Sequence, residues 1–278
     1  YHFTKAAANA FAVRFYLYRQ EYAKVIEYAN QVFTSSNITT LLRPWNSTYL
    51  TYTYREMWAE YAKATQSANL LLGETASWWG RYYYSVRYAM TSTIRDEIFS
   101  SNVTGGNWAF RNHTYTAGTN NYMLPKINEY FVRNSVNANI GVGYIMVPLF
   151  TVEEVLFNKA EANNALNNTG EAIADMNSYA STRITGYSSA THRITETKIN
   201  NYYGTSDLQD GILQTILDFK RAEFAQEGMR WFDILRHKIV VTHRTSEGDE
   251  IELGENDLRR VLQIPESAKL SEVDQNPR

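Results

Sequence analysis

Thr151-Val152-Glu153-Glu154-Val155-Leu156-Phe157-Asn158-Lys159-Ala160-Glu161-Ala162, then Asn167-Asn168-Thr169-Gly170, then Ala172, Ile173, Met176 and Ala180, is the stretch whose reading settles the architecture. Thr151 with Glu154 three residues on has the form of a capping box, in which each side chain satisfies a free backbone N–H at the helix start. The spacing predicts a helix over 152–166. Asn167 to Gly170 close it, Gly170 being suited to a left-handed cap, and a second helix follows to about Ser181. Two helices joined by a short turn, at roughly the 34-residue length of a tetratricopeptide unit, cannot bury both faces alone. Such a unit stacks on neighbours.

A second pair lies upstream, over 4–33. Its first helix, Thr4 to Tyr18, is apolar nearly all round (Ala7, Ala10, Phe11, Phe15, Leu17, Tyr18), so it needs cover on more than one side. Arg19, Gln20 and Glu21 break it. Tyr22, Val25, Ile26, Ala29 and Phe33 then form a helical stripe, with Glu21, Lys24, Glu27 and Gln31 on the wet side.

Between the pairs, 34–150 has a different character: rich in Tyr, Trp, Thr, Asn and Ser, and weakly periodic. Tyr54 to Ala68 reads as a helix and Leu70 to Met90 as strand and turn. A connector this long carries function or is disordered, and its aromatic content opposes disorder. Downstream, Gly186 to Asp207 reads as polar loop and Leu208 to Glu227 as a strong helix ended by Gly228. Ile239–His243 and Glu250–Leu253 read as a small hairpin. The expected fold is mainly α, with tetratricopeptide-like pairs, an irregular aromatic-rich insert and a small β-hairpin. Residues 1–278 are read as one domain.

Composition narrows function. With 27 basic against 29 acidic residues, the formal net charge is −2, which opposes nucleic-acid binding and polybasic membrane attachment. The chain has no cysteine, which excludes disulfides, thiolate metal sites and thiol nucleophiles. There is no G-x-S-x-G or H-E-x-x-H motif, and the five histidines (His2, His113, His192, His237, His243) are scattered. No cofactor or metal is expected. No segment approaches the ~20 apolar residues of a membrane-spanning helix.

Four separated motifs carry a family likeness. Lys220-Arg221-Ala222-Glu223-Phe224-Ala225-Gln226-Glu227-Gly228-Met229-Arg230-Trp231-Phe232-Asp233-Ile234-Leu235-Arg236 resembles the signature of the SusD/RagB family. Val147 to Ala162 resembles its glutamate-initiated helix, and Leu262-Gln263-Ile264-Pro265 with Asp274-Gln275-Asn276-Pro277 its closing segment. Arg14-Phe15-Tyr16-Leu17-Tyr18 is similar to an opening motif of the same family. Phe219 and Lys220 stand where that signature usually has Glu and Arg.

The resemblance implies a surface-exposed, lipid-anchored lipoprotein of the outer membrane in Bacteroidetes. Such a protein captures an oligosaccharide, or in some members a peptide, for a partner SusC-like TonB-dependent transporter, and is not an enzyme. It also implies that the chain lacks an N-terminal part, with the anchor outside it.

Residue chemistry supplies the site candidates. The 21 Tyr, 12 Phe and 6 Trp make aromatics 14% of the chain. Sugar rings stack on aromatic faces, and their hydroxyls take planar bidentate partners. Trp78, Trp79, Arg81, Tyr82 and Tyr83 concentrate both chemistries. Trp45 and Trp108 are further candidates, Trp108 lying among Asn107, Arg111 and Asn112. If 78–84 is a strand, Trp79, Arg81 and Tyr83 share one face. The mixed charges of the 220–236 signature read as ties between packed segments. Three other readings stand beside oligosaccharide capture: peptide capture, a helical scaffold for a protein partner, and a degradative enzyme whose carboxylate pair only spatial separation would reveal.

Overall fold

The computed structural model describes residues 3–33, 37–82, 90–116, 120–245 and 247–277. They pack as two compact units, 1–226 and 227–278. Among the described residues, no helix is long and apolar enough to cross a membrane.

In the first unit, α1 (Lys5–Tyr18) and α2 (Tyr22–Val32) form the upstream pair. Thr4 caps α1 by accepting from the Ala7 N–H at 3.1 Å. The alanines let neighbours approach, and Ala10, Val13 and Leu17 close on Val25, Ala29 and Val32 of α2 and on Phe150, Val155 and Ala162.

The insert follows: α3 (Tyr54–Tyr61), β1 (Asn69–Ala76), α4 (Trp79–Tyr82), α5 (Ser92–Phe99), β2 (His113–Thr116), β3 (Asn120–Met123), β4 (Glu129–Arg133) and β5 (Gly141–Thr151). Strands β1 and β4 flank β5 in an antiparallel sheet, while β2 and β3 form a separate two-stranded sheet. The sequence reading had not separated β4 and β5 from the irregular insert. Nor had it placed the capping box, complete with side chain and backbone on both ends, that starts α3 at Thr53 and Glu56.

Then come α6 (Val152–Ala165), α7 (Thr169–Ala180), α8 (Ser189–His192), α9 (Glu196–Tyr203) and α10 (Leu208–Glu223). Helix α6 packs on both α1 and α2, and α10 packs on α6, α7 and α9. Two details differ from expectation. Asn167, with φ 61°, takes the left-handed turn after α6, and Gly170 lies inside α7. An asparagine tolerates that region through local hydrogen bonding of its short amide. Residues 186–207 are not a plain loop: α9 is capped by Thr195, whose hydroxyl accepts from Lys198 N–H at 3.3 Å, and ends at Gly204 with φ 64°. Ile199 is the one residue of α9 that is buried, too few for a visible apolar stripe.

The second unit holds α11 (Arg230–Arg236) and the hairpin of β6 (Val241–Arg244) and β7 (Glu250–Leu253). Arg260 ties it together, donating to the carbonyls of Gly254 at 2.6 Å, Ile234 at 2.9 Å and Ile239 at 2.6 Å. The closing motif is a clasp. Gln263 accepts from Asn276 N–H at 2.9 Å, and Asn276 donates its amide to Leu262 O at 2.7 Å.

Candidate functional site

The β1–β5–β4 sheet has two unlike faces. Because directly paired antiparallel residues share a face, Ile145, Glu129 and Thr75 point one way. Ile145 is buried there with Met123 and Ile127, and Trp58, Trp79 and Val147 pack against them. On the other face Tyr130 opposes Tyr144, with rings stacked at 5.8 Å and 22°, and Val132 opposes Val142. Tyr130, Val132 and Val142 are exposed. Close strand approach at the hairpin depends on Gly141, where a Cβ would sit 2.2 Å from Val132 O.

The sequence-selected residues scatter around this sheet. Ser77 N–H donates to Gly143 O at 3.0 Å, so the chain leaves β1 at the sheet's end, and Trp78 follows with 60% of its surface exposed. Trp79 is half-buried against the inner face. Trp79, Arg81 and Tyr82 belong to the short helix α4 and not to a strand, so the alternating-face expectation is corrected. Tyr83 lies outside the described residues.

Trp45 is a correction of another kind. It is fully enclosed (0% exposed), with Phe110 at 4.8 Å, Tyr49 at 5.3 Å and Tyr61 at 6.3 Å, and presents no face to a ligand. Trp108 is half-buried, edge-on to Phe219 at 5.2 Å. It borders a crevice of about 30 Å³ with Glu97, Tyr203, Asp218 and Arg221, space for about one water and no sugar. Arg111 donates to the carbonyls of Leu50 and Tyr52 and holds a loop.

Beneath the insert lies a buried ionic network absent from the sequence reading. Arg43, Arg183, Glu153 and Glu223 are all wholly enclosed. Glu153 accepts from the Arg43 guanidinium at 2.7 Å, from Arg43 N–H at 2.9 Å and from Arg183 at 2.9 Å. Glu223 accepts from Arg183 Nε at 2.7 Å and from Tyr179 OH at 2.9 Å. Lys126 donates to the carbonyls of Glu223 and Ala225. Burial pushes the Glu223 pKa up, but Arg183 first, then Lys126 and Arg43, outweigh it and hold the carboxyl below its ordinary value. Burial and the neighbouring Glu223 raise Tyr179 well above a free tyrosine, so it stays a donor.

Glu223 of the signature is therefore tied to residues far from the signature. Lys220 pairs with Glu161 at 3.0 Å and Arg221 with Glu97 at 2.9 Å. Of the expected capping box at α6, only half forms: Thr151 accepts from Glu154 N–H, while the Glu154 carboxylate grips Arg14 at 2.6 Å through both oxygens. Glu223 and Glu153 lie in the family-like motifs, whereas Arg43 and Arg183 sit in loop segments without a periodic signal.

Known proteins resemble this chain in fold. Over 98% of its length it matches a SusD superfamily protein of Bacteroides vulgatus (TM-score 0.60, 21% identity, 59% of that chain covered). A candidate sugar binding protein of the same species matches at TM-score 0.64 and 18% identity, over 98% of this chain and 59% of that one. A SusD-like carbohydrate binding protein, again from Bacteroides vulgatus, matches at 0.57 and 16%, over 96% and 58%. The chain thus spans about three fifths of the length of the solved structures it matches. No protein of curated function matches it. The SusD family model covers residues 14–271, nearly the whole chain, and with the helical pairs, the insert and the signature residues in place, the chain belongs to the SusD family.

Proposed function

We propose that this chain is part of a non-catalytic nutrient-capture protein of the outer membrane, which binds an oligosaccharide and passes it to a SusC-like TonB-dependent transporter. The observation that carries this reading is the exposed aromatic end of the β1–β5–β4 sheet: Trp78 at 60% exposure beside a sheet whose outer face bears the stacked Tyr130–Tyr144 pair. Apolar rings left in water at a sheet end are a cost unless something covers them, and pyranose C–H faces do so well. The buried carboxylates point away from hydrolysis. Glu153 and Glu223 are each locked to arginine, an arrangement that holds charge in place and does not move protons. Arg81, Tyr82 and Tyr83 belong to the same proposal as the chain segment that follows Trp78.

One observation favours peptide as the second reading. Strand β4 is an outer strand of its sheet, with Phe131 and Val132 exposed, and an outer strand can add an extended peptide. The test is a titration with neutral and acidic oligosaccharides and with oligopeptides, following tryptophan fluorescence. Sugar binding that weakens about tenfold in Trp78→Ala, the loss of one stacking platform, supports capture of glycans. Binding of peptides alone would replace it, and turnover of any ligand would overturn the non-catalytic reading.

A further inference from the structure

A second crevice, about 460 Å³ and open to solvent, lies between the 102–105 turn and α8–α9, lined by Asn102, Thr104, Thr191, His192, Lys198 and Tyr202 among others. Its volume falls in the range of ligand sites. Its charge is one-sided: among the described residues no carboxylate lines it. Lys198 is half-buried at its wall, donating to Thr191 O at 2.5 Å and Thr104 O at 2.8 Å. An ammonium has three N–H groups and one unit of charge. Two carbonyls take two of those donors, and among the described residues no carboxylate pairs with the charge.

His192 adds a second donor. Its Nδ1 accepts from Ser188 N–H at 3.0 Å, which puts the proton of the neutral ring on Nε2. The ring is set against Gly106, where a Cβ would come within 2.9 Å of Cδ2. The third component is apolar. Tyr202, 42% exposed, stands at the wall with its hydroxyl 3.0 Å from Ser101 Oγ, which fixes the ring.

Two donors, one of them an uncompensated cation, beside a fixed aromatic plane match a pyranose carrying a carboxylate. The ring would stack on Tyr202 and the carboxylate would take charge-assisted hydrogen bonds from Lys198 and His192. We infer that this crevice is a subsite for a uronic-acid residue of an acidic oligosaccharide, separate from the Trp78 end of the sheet. The inference rests on the reading of the protein as a glycan-capturing one and narrows its ligand class.

Calorimetric titration of the 278-residue chain with tetragalacturonate, a neutral galactose tetramer and tetraglutamate tests it. The acidic sugar is expected to bind about tenfold tighter than the neutral one, and less tightly as salt rises. Asn201 is an exposed residue of α9 that also lines the crevice, so Asn201→Glu adds an opposing charge without touching the fold. It should erase the preference for the acidic sugar, and Tyr202→Ala should weaken both sugars. Equal affinity for the two sugars, a preference indifferent to Asn201→Glu, or tetraglutamate binding as tightly as tetragalacturonate would overturn the subsite while glycan capture stood. Binding of no sugar at all would overturn both.

Discussion

Trp45 and Trp78 belong to the same aromatic-rich insert, yet one is enclosed and the other is 60% exposed. The side chain does not decide this. Trp45 follows Arg43, whose backbone N–H and guanidinium are fastened to Glu153 at the start of α6. On its other side, the Asn46 amide donates to Ser181 O and Ile184 O, both at 2.8 Å. Polar anchors before and after it pin the loop to the helical pair and carry the indole inward. Trp78 follows a strand end held to β5 at Ser77, where the chain leaves the sheet, and 60% of its surface stays exposed. Where an aromatic residue ends up is set by the hydrogen bonds of its sequence neighbours to distant elements.

The largest effect should come from the anchors. Arg183→Met removes the shared partner of Glu153 and Glu223 and leaves buried carboxylate charge uncompensated, at a cost of about 3–5 kcal/mol in urea unfolding. A loss under about 1 kcal/mol would show that the network is not what holds the loop.

Trp45→Ala opens a cavity among Tyr49, Tyr61 and Phe110 and should cost about 3–5 kcal/mol. Trp78→Ala should shift stability by no more than about 0.5 kcal/mol while weakening sugar binding. If the two substitutions cost the same, the contrast between the sites collapses.

The Glu223 pKa lies below its unfolded value, so its stabilisation is complete above the ordinary glutamate range near ~4.3 and is lost as pH falls through the depressed folded value. Glu223→Gln keeps the shape, lowers stability at neutral pH and should flatten the acid limb of a denaturation-versus-pH profile. An unchanged acid limb would mean that another carboxyl governs it.

A smaller effect is expected at the sheet. Gly141→Ala forces a methyl against Val132 O, and overpacking of this kind costs about 1–3 kcal/mol. Near-UV circular dichroism should report the displaced Tyr130–Tyr144 pair, and sugar binding should weaken with it. Full binding by this variant would remove the outer sheet face from the proposed site.

Much of the frame was legible. Apolar periodicity and capping residues located α1, α2, α6, α7 and α10, because these signals are local and each helix satisfies its own backbone. The closing motif was legible too, and the Gln263–Asn276 clasp explains why its two halves belong together. Strands β4 and β5 were not, because their register depends on pairing partners far along the chain and on Gly141 permitting close approach. Helix α9 was missed because it buries so little.

Composition and periodicity were sufficient for the helical pairs and for an insert dense in aromatics, since both follow from interactions spanning a few residues. Which rings face water was settled only by folding. The pairing of Arg43 and Arg183 with Glu153 and Glu223 joins segments up to 110 residues apart along the chain through contacts no local pattern encodes. Bringing charges together from such distances is a property of the packed chain, because buried charge is tolerable only where every partner arrives in place.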